Sequence, residues 1–465
     1  YVREGLDGED RVLVDPNQLG EGGLVALDWW YPSHDGRLLA YGLSRNGDEW
    51  STLHVLDVAT AADRGERIPR TRYCSLAWLP DNSGFYYTRY PEPGSVPPGE
   101  ENYNAHVFLH ALGSDPSSDP KVFGEACAPE EMIDIEIDAT GRWLVAQVST
   151  GWAMSRLYVH DRSDPAGGFL RITPDADAIF TGAQIDGDTL YALTNHDAPT
   201  YKVIATPLTG PGRFVWHDVV PADATRVIEE YRLTRDGLVT GELEAAVGQV
   251  RRYGRDGDPR GELQLPGIGS VLGIEGSPAS EVVLVTYFSF VQPHTVLVYG
   301  EGAAGRELAP VTLPPGLARD EYTIERVRYP SKDGTMISMF IVHRKDLVPD
   351  GSHPLYLTGY GGFNVAMGPE YVPALPAWLM QGGIYALPTL RGGNEYGEAW
   401  HRAGMLDRKQ NTFDDFIAAA EWLVARGYTS PDRLAIGGGS NGGLLVGAAM
   451  TQRPDLFRAV FCAVP

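Results

Sequence analysis

Along residues 1–322 the apolar positions fall in short alternating runs, separated by turns rich in Asp, Gly and Asn, with hardly any helical periodicity. One unit recurs: a polar turn followed by an alternating strand. It stands at Ser33-His34-Asp35-Gly36 before RLLAYGLS, at Pro80-Asp81-Asn82-Ser83-Gly84 before FYYTRY, and at Asp138-Ala139-Thr140-Gly141 before RWLVAQVS. It returns at Asp186-Gly187-Asp188, at Arg235-Asp236-Gly237 and, in degenerate form, at Glu275-Gly276-Ser277. A single Asp-Gly turn marks any hairpin. Six copies, the first five about 45–57 residues apart and the degenerate sixth somewhat closer, with no helix between them, predict the blades of a β-propeller, each of four strands. A tandem of β-sandwiches is the alternative.

Near residue 325 the pattern changes. Residues 326–343 read as two strands around an Asp333-Gly334 turn, and strands and helices alternate afterwards. Short apolar strands are predicted at 355–358, at 384–388 and from 433 to 436. Between the last two, Asn411-Thr412 reads as a helix N-cap, with Asp414 and Asp415 in the first turn, where the helix dipole favours carboxylates. Phe413, Phe416, Ile417, Ala420, Leu423 and Val424 then share one face of a helix that stops at Gly427. Alternating strands and helices imply a largely parallel sheet covered by helices.

The sharpest chemical signal is Gly438-Gly439-Ser440-Asn441-Gly442, after a predicted strand and before the apolar helix LLVGAAM. G-x-S-x-G in that setting is a nucleophile elbow: a tight, strained turn that holds the Ser440 hydroxyl out of the sheet. Small residues at Gly438 and Gly442 keep strand and helix from clashing, and Gly439 completes the glycine-rich elbow. One oxyanion donor is expected from the backbone N–H of Asn441, the residue after the nucleophile. The second is expected from the Gly359-Tyr360-Gly361-Gly362-Phe363-Asn364 loop, through the Tyr360 phenol; a packing role for Tyr360 is the plain alternative. No Lys-Ser/Thr follows the glycines, so this is not a phosphate loop.

YGGFN (360–364), LRGGNEYGEAWHRAGMLDRKQNTFDDF (390–416) and GGSNGG (438–443), in that order, resemble the prolyl oligopeptidases. The likeness extends to LDGEDRVLVDPNQL, SDPKVFGE and YPSKDG. It implies a seven-bladed propeller, its first blade incomplete, over residues 1–322, and the N-terminal part of an α/β-hydrolase domain over 323–465. It further implies a serine endopeptidase that cleaves short peptides after proline through an acyl-enzyme. Ser440 is then the nucleophile, Tyr360 and the Asn441 amide the oxyanion donors, and Phe363 with the Asn441 side chain part of the proline pocket. The propeller would admit only short peptides. In this family the triad Asp and His follow the Ser. Only 25 residues follow Ser440, and none is a suitable His; His343, His353 and His401 are not expected to act as base. The triad Asp and His are expected outside this chain, both of whose ends read as cut, and the isolated polypeptide is expected to be inactive. Two alternatives stand beside this reading: an acylaminoacyl peptidase or esterase on the same scaffold, and a non-catalytic propeller binding protein.

Composition narrows the partners. Lys and Arg number 38 against 61 Asp and Glu, a net charge of −23 that should repel phosphate backbones, so no nucleic-acid partner is expected. No apolar stretch approaches the ~18 residues of a membrane span. Three cysteines, Cys74, Cys127 and Cys462, form neither a disulfide framework nor a zinc spacing. With family habit they point to a cytoplasmic protein; a lost leader would leave periplasmic or secreted locations open. Neither metal nor organic cofactor is implied, and a monomer acting on short proline-containing peptides is expected.

Overall fold

Each of the six recurring turns occupies the same place, between the first and second strands of a sheet. The pairs are Val25–Pro32 with Leu38–Arg45, Leu76–Trp78 with Gly84–Arg89, and Met132–Ile137 with Trp143–Thr150. They continue with Phe180–Asp186 and Thr189–Thr194, Arg226–Thr234 and Gly237–Glu244, and Ser270–Glu275 and Val283–Ser289. The computed structural model describes residues 1–20, 24–164 and 166–465. Among them are six such antiparallel sheets, five of four strands and one of three, each with its strands in chain order. The expected count of seven blades is thereby corrected to six. Each sequence repeat built one sheet; the seventh came from the resemblance alone. Upstream of the first sheet, the described residues give a Val2–Arg11 bridge and a 3-10 turn at Pro16–Gln18. In the three-stranded sheet, residues 63–68 touch the third strand only at the Leu53–Ile68 and Leu56–Asp63 bridges. Gly65, at φ +88°, breaks the run between them.

The chain divides into two compact units, residues 1–196 with 205–217, and residues 197–204 with 218–465. In the first, Trp29, Leu53, Trp78, Phe85 and Tyr87 form a core between the first two sheets. The second unit contains a mixed six-stranded sheet. Its strands are β1 (Tyr322–Pro330), β2 (Met336–Arg344), β3 (Leu355–Thr358), β4 (Ile384–Pro388), β5 (Leu434–Gly439) and β6 (Ala459–Ala463). They lie in the order β1-β2-β4-β3-β5-β6. β1 and β2 form the expected hairpin, with Gly334 at φ +85°, and β4, β3, β5 and β6 run parallel.

Both faces of this sheet are buried, hence the largely apolar run 336–342 of β2, interrupted at Ser338. Ile337, Met339 and Ile341 join Leu355, Leu357 and Ile436 on one face; Phe340 and Val342 meet Tyr385 and Leu387 on the other. Four helices accompany the sheet: α1 (Leu375–Met380), α2 (Glu398–Arg402), α3 (Lys409–Ala425) and α4 (Asn441–Gln452). Helix α3 packs Phe416, Ala420 and Leu423 against the first face, as its periodicity requires. Its start differs from expectation. The 3-10 turn Leu406–Arg408 runs directly into Lys409, so Asn411 and Thr412 lie inside the helix rather than capping it. Their side chains instead reach back to backbone carbonyls, Asn411 Nδ2 to Ala403 and Thr412 Oγ1 to Arg391.

Candidate active site

The order β4-β3-β5 places the loops after β3 and β5 side by side at the carboxyl edge of the sheet, where the strand order reverses. Such switch points form crevices for ligands. Thr358 at the end of β3 is in register with Gly437 of β5, and its Oγ1 donates to the Gly437 carbonyl at 2.7 Å. This pairing brings the Tyr360 loop to the serine elbow.

Ser440 sits between β5 and α4 at φ 55°, ψ −123°. A non-glycine residue there carries strain of about 1–3 kcal/mol, which only surrounding structure sustains. Its N–H donates to the Ala463 carbonyl of β6 at 3.1 Å, and its carbonyl accepts the Leu444 N–H in the first turn of α4. The glycines explain how the turn closes. A Cβ on Gly438 would stand 2.3 Å from the Gly442 carbonyl oxygen, and one on Gly442 would stand 2.8 Å from that of Gly359. Gly439 differs: a Cβ there would meet nothing nearer than the Ala463 methyl at 4.0 Å, so the elbow needs no glycine at that position for space.

Asn441 opens α4, in the turn whose N–H groups lack intrahelical acceptors and whose dipole favours negative charge. Its side chain is buried, and Nδ2 donates to the Tyr360 carbonyl at 2.5 Å. The amide group thus ties the elbow to the neighbouring loop. A Cβ on Gly362 would press into this same amide at 2.5 Å, so that loop passes directly over it. Tyr360 is half-buried, its ring edge 3.8 Å from the place of a Gly442 Cβ.

Beyond Gly362 the chain makes two consecutive left-handed residues, Phe363 at φ 55° and Asn364 at φ 59°. Phe363 is 54% exposed despite its apolar ring. The turn is held through Asn364: its N–H reaches the Gly392 carbonyl at 3.3 Å and His401 Nδ1 at 3.1 Å, and Nδ2 donates to the Tyr201 hydroxyl. His343 is engaged with Glu325 and the Arg344 carbonyl, and His353 with the Val348 carbonyl.

Two supports were not foreseen from the sequence. Lys409 Nζ donates to the Gly361 carbonyl at 2.6 Å, and burial pushes its pKa down to about 8. Arg391, in the loop after β4, lies buried against Asp415 of α3 with Nη2–Oδ1 at 2.6 Å; it also reaches Asp333 and Ser331. Asp415, expected as a first-turn carboxylate favoured by the helix dipole, is fully buried in this network. The signal was available: an arginine between an apolar leucine and two glycines, Leu390-Arg391-Gly392-Gly393, needs a partner once its loop is packed.

The comparisons agree with this geometry. Residues 1–305 match the prolyl oligopeptidase N-terminal beta-propeller domain, and residues 371–465 match the prolyl oligopeptidase family. A prolyl endopeptidase of Elizabethkingia meningoseptica is 34% identical over 469 residues, covering 99% of this chain and 65% of that protein. A prolyl oligopeptidase of Omphalotus olearius is 33% identical over 99% of this chain and 64% of its own length. Among solved structures, one from a study of two prolyl endopeptidases superposes with a TM-score of 0.91 at 37% identity, over 99% of this chain and 68% of that one. Prolyl oligopeptidase B from Galerina marginata, bound to a 35mer hydrolysis and macrocyclization substrate, gives 0.89 at 27% identity over 96% and 65%. The chain therefore spans about two-thirds of the length of its relatives. With its repeated four-stranded sheets, its mixed sheet and the strained serine at the crevice, the chain belongs to the prolyl oligopeptidase family, a β-propeller joined to an α/β-hydrolase fold.

Proposed function

We propose that this chain forms part of a serine endopeptidase that hydrolyses short peptides on the carboxyl side of proline, with Ser440 attacking the scissile carbonyl. The observation that carries the reading is the backbone of Ser440, strained at the junction of β5 and α4. The Asn441 N–H, at the start of α4, and the Tyr360 phenol are the oxyanion donors in this reading. Phe363, apolar and exposed, is one wall of the proline pocket; a flat ring suits pyrrolidine, which has no N–H to satisfy. Asn441 serves that pocket by holding the Tyr360 loop against the elbow. His343, His353 and His401 have other partners, so none is assigned as general base.

A propeller over residues 1–322 and a hydrolase part over 323–465 remain the proposed division, supported by the end of the last four-stranded sheet at Glu307 and the start of β1 at Tyr322. Free thiols at Cys74, Cys127 and Cys462 suit a reducing, cytoplasmic setting. No helix among the described residues is long and apolar enough to cross a membrane. The surplus of acidic groups favours a monomer acting on peptides rather than on nucleic acid.

The test is a substrate panel on the polypeptide extended to the full length of its relatives. Acyl-proline amides should be cleaved, and Ser440→Ala should lower the rate by about 10⁴-fold or more. The 465-residue polypeptide alone should show no turnover. Preference for N-acylated amino-acid amides would favour an acylaminoacyl peptidase instead, and a folded full-length protein inert to the whole panel would overturn catalysis.

A further inference from the structure

The loop carrying Phe363 is fastened at its far end by a carboxyl group that has no role in the elbow. Glu395, in the loop after β4, is 1% exposed. Its Oε1 accepts the Met367 N–H at 2.9 Å. Its Oε2 is buried with no hydrogen-bond partner, and the buried Oδ1 atoms of Asn364 and Asn394 are likewise without one. What stands near Oε2 is another acceptor. A Cβ on Gly393 would lie 2.3 Å from Glu395 Oε2 and 2.7 Å from the Val365 carbonyl oxygen, so both oxygens converge on the same face of that glycine.

Among the described residues no cation answers this carboxyl. Arg391 is committed to Asp415 and Asp333, and Lys409 to the Gly361 carbonyl. From α2, Arg402 pairs with Glu398, and His401 faces Asn364 and Gly392. From the strand Arg226–Thr234, Glu229 adds a further negative charge, and Tyr201 contributes only a neutral phenol. A bare carboxylate in such a place is costly, and the cheaper state is the neutral acid. A proton on Oε2 also supplies the missing donor.

We propose that Glu395 is held as a neutral carboxylic acid, Oε1 accepting from Met367 and Oε2–H donating to a neighbouring buried oxygen, and that it is the positioning residue locking the Phe363–Met367 segment onto the 391–397 loop. The left-handed Phe363–Asn364 turn is then gripped from both sides: by Gly392 and His401 at Asn364, and by Glu395 at Met367. Burial lifts the Glu395 pKa to about 8, and the Glu229 charge pushes the same way. The acid form therefore holds at neutral pH. Above that range a charge appears among acceptors, and the segment loosens. The consequence for a proline pocket rests on the proposed function; the locking itself does not.

The test accordingly uses no substrate. Infrared difference spectra of the folded chain should show a protonated-carboxyl C=O band at neutral pH that fades as pH rises through about 8 and is missing in Glu395→Gln. Hydrogen exchange at residues 364–367, corrected for its intrinsic pH dependence, should quicken at least about tenfold over the same range in the unaltered protein. Glu395→Gln, whose amide can accept from Met367 and donate in place of Oε2–H, should keep the protection and lose the pH step. Glu395→Ala should lack protection throughout. Lys409 titrates nearby, but its contribution survives in Glu395→Gln and so separates out. Absence of the acid band at neutral pH, or a Glu395→Gln segment as open as that of Glu395→Ala, would overturn the proposal.

Discussion

Ser440 shows how much of the site can be read one residue at a time. The order of small residues around it stated that a strand must turn into a helix with no room for side chains, and the backbone does so. What the letters did not distinguish is which glycine bears the constraint. Gly438 and Gly442 are fixed by backbone oxygens within 2.8 Å of their would-be Cβ atoms, whereas Gly439 is not. Gly438→Ala should therefore force strand and helix apart and cost about 1–3 kcal/mol, as overpacking does. Gly439→Ala should stay within about 0.5 kcal/mol of the parent. Urea unfolding of the two variants, compared at unchanged m-value, reads the contrast directly; equal losses would mean that the elbow senses total glycine content rather than this packing.

At the scale of elements, period and turn chemistry located β1 to β5 and the apolar face of α3, because these depend on neighbours in sequence. The start of α3 was misplaced because Asn411 and Thr412 spend their side chains on carbonyls of the segment between β4 and α3, a long-range use that mimics a cap in the sequence. The same segment hides the latch that joins three elements. Arg391 bridges Asp415 of α3 to Ser331 and Asp333 of the β1–β2 hairpin, and the Tyr329 hydroxyl donates to the Asp415 carbonyl beside it. Nothing local announces such a pairing across some 24 and 58 residues. Removing the guanidinium strands a fully buried carboxylate, so Arg391→Met should cost about 3–5 kcal/mol. Adding Asp415→Leu should recover much of that loss, since a buried pair replaced by apolar groups is often close to neutral. Chemical denaturation of the single and double variants provides the cycle. A mild single variant, or a double one worse than the sum, would show that the latch is not an ion pair in energetic terms.

For the whole molecule, the repeat count was legible and the blade number inferred from resemblance was not, since six turns built six sheets. The acidic composition was legible too, but its consequence depends on where individual carboxyls lie. Asp63 and Asp333 are held down to about 2, chiefly by hydrogen bonds from Arg67 and Arg391. Both are partly exposed, so salt screens part of their contribution. Their share of stability is present above the usual carboxylate pKa of about 4 and is lost as pH falls toward 2. Glu395 and Glu229 act with the opposite sign. Burial lifts Glu395 to about 8; the groups packed around Glu229 push it the same way, to about 7, but its side chain is exposed and solvent screens part of that shift. Between about pH 4.5 and those values the folded chain keeps protons that the unfolded chain has released, so stability falls as pH rises. The net charge of −23 at pH 7 adds self-repulsion in the same direction. All these contributions place the thermal midpoint of the folded chain highest at about pH 5–6, with an acid limb below and a longer decline above. The double variant Glu229→Gln/Glu395→Gln should flatten the upper decline and leave the acid limb in place. Added salt should soften the decline only by the part due to repulsion, because the buried acid is poorly screened. An upper decline unchanged in the double variant would assign the pH dependence to the surface charge alone, and a midpoint that peaks at about pH 8 or above would overturn both contributions.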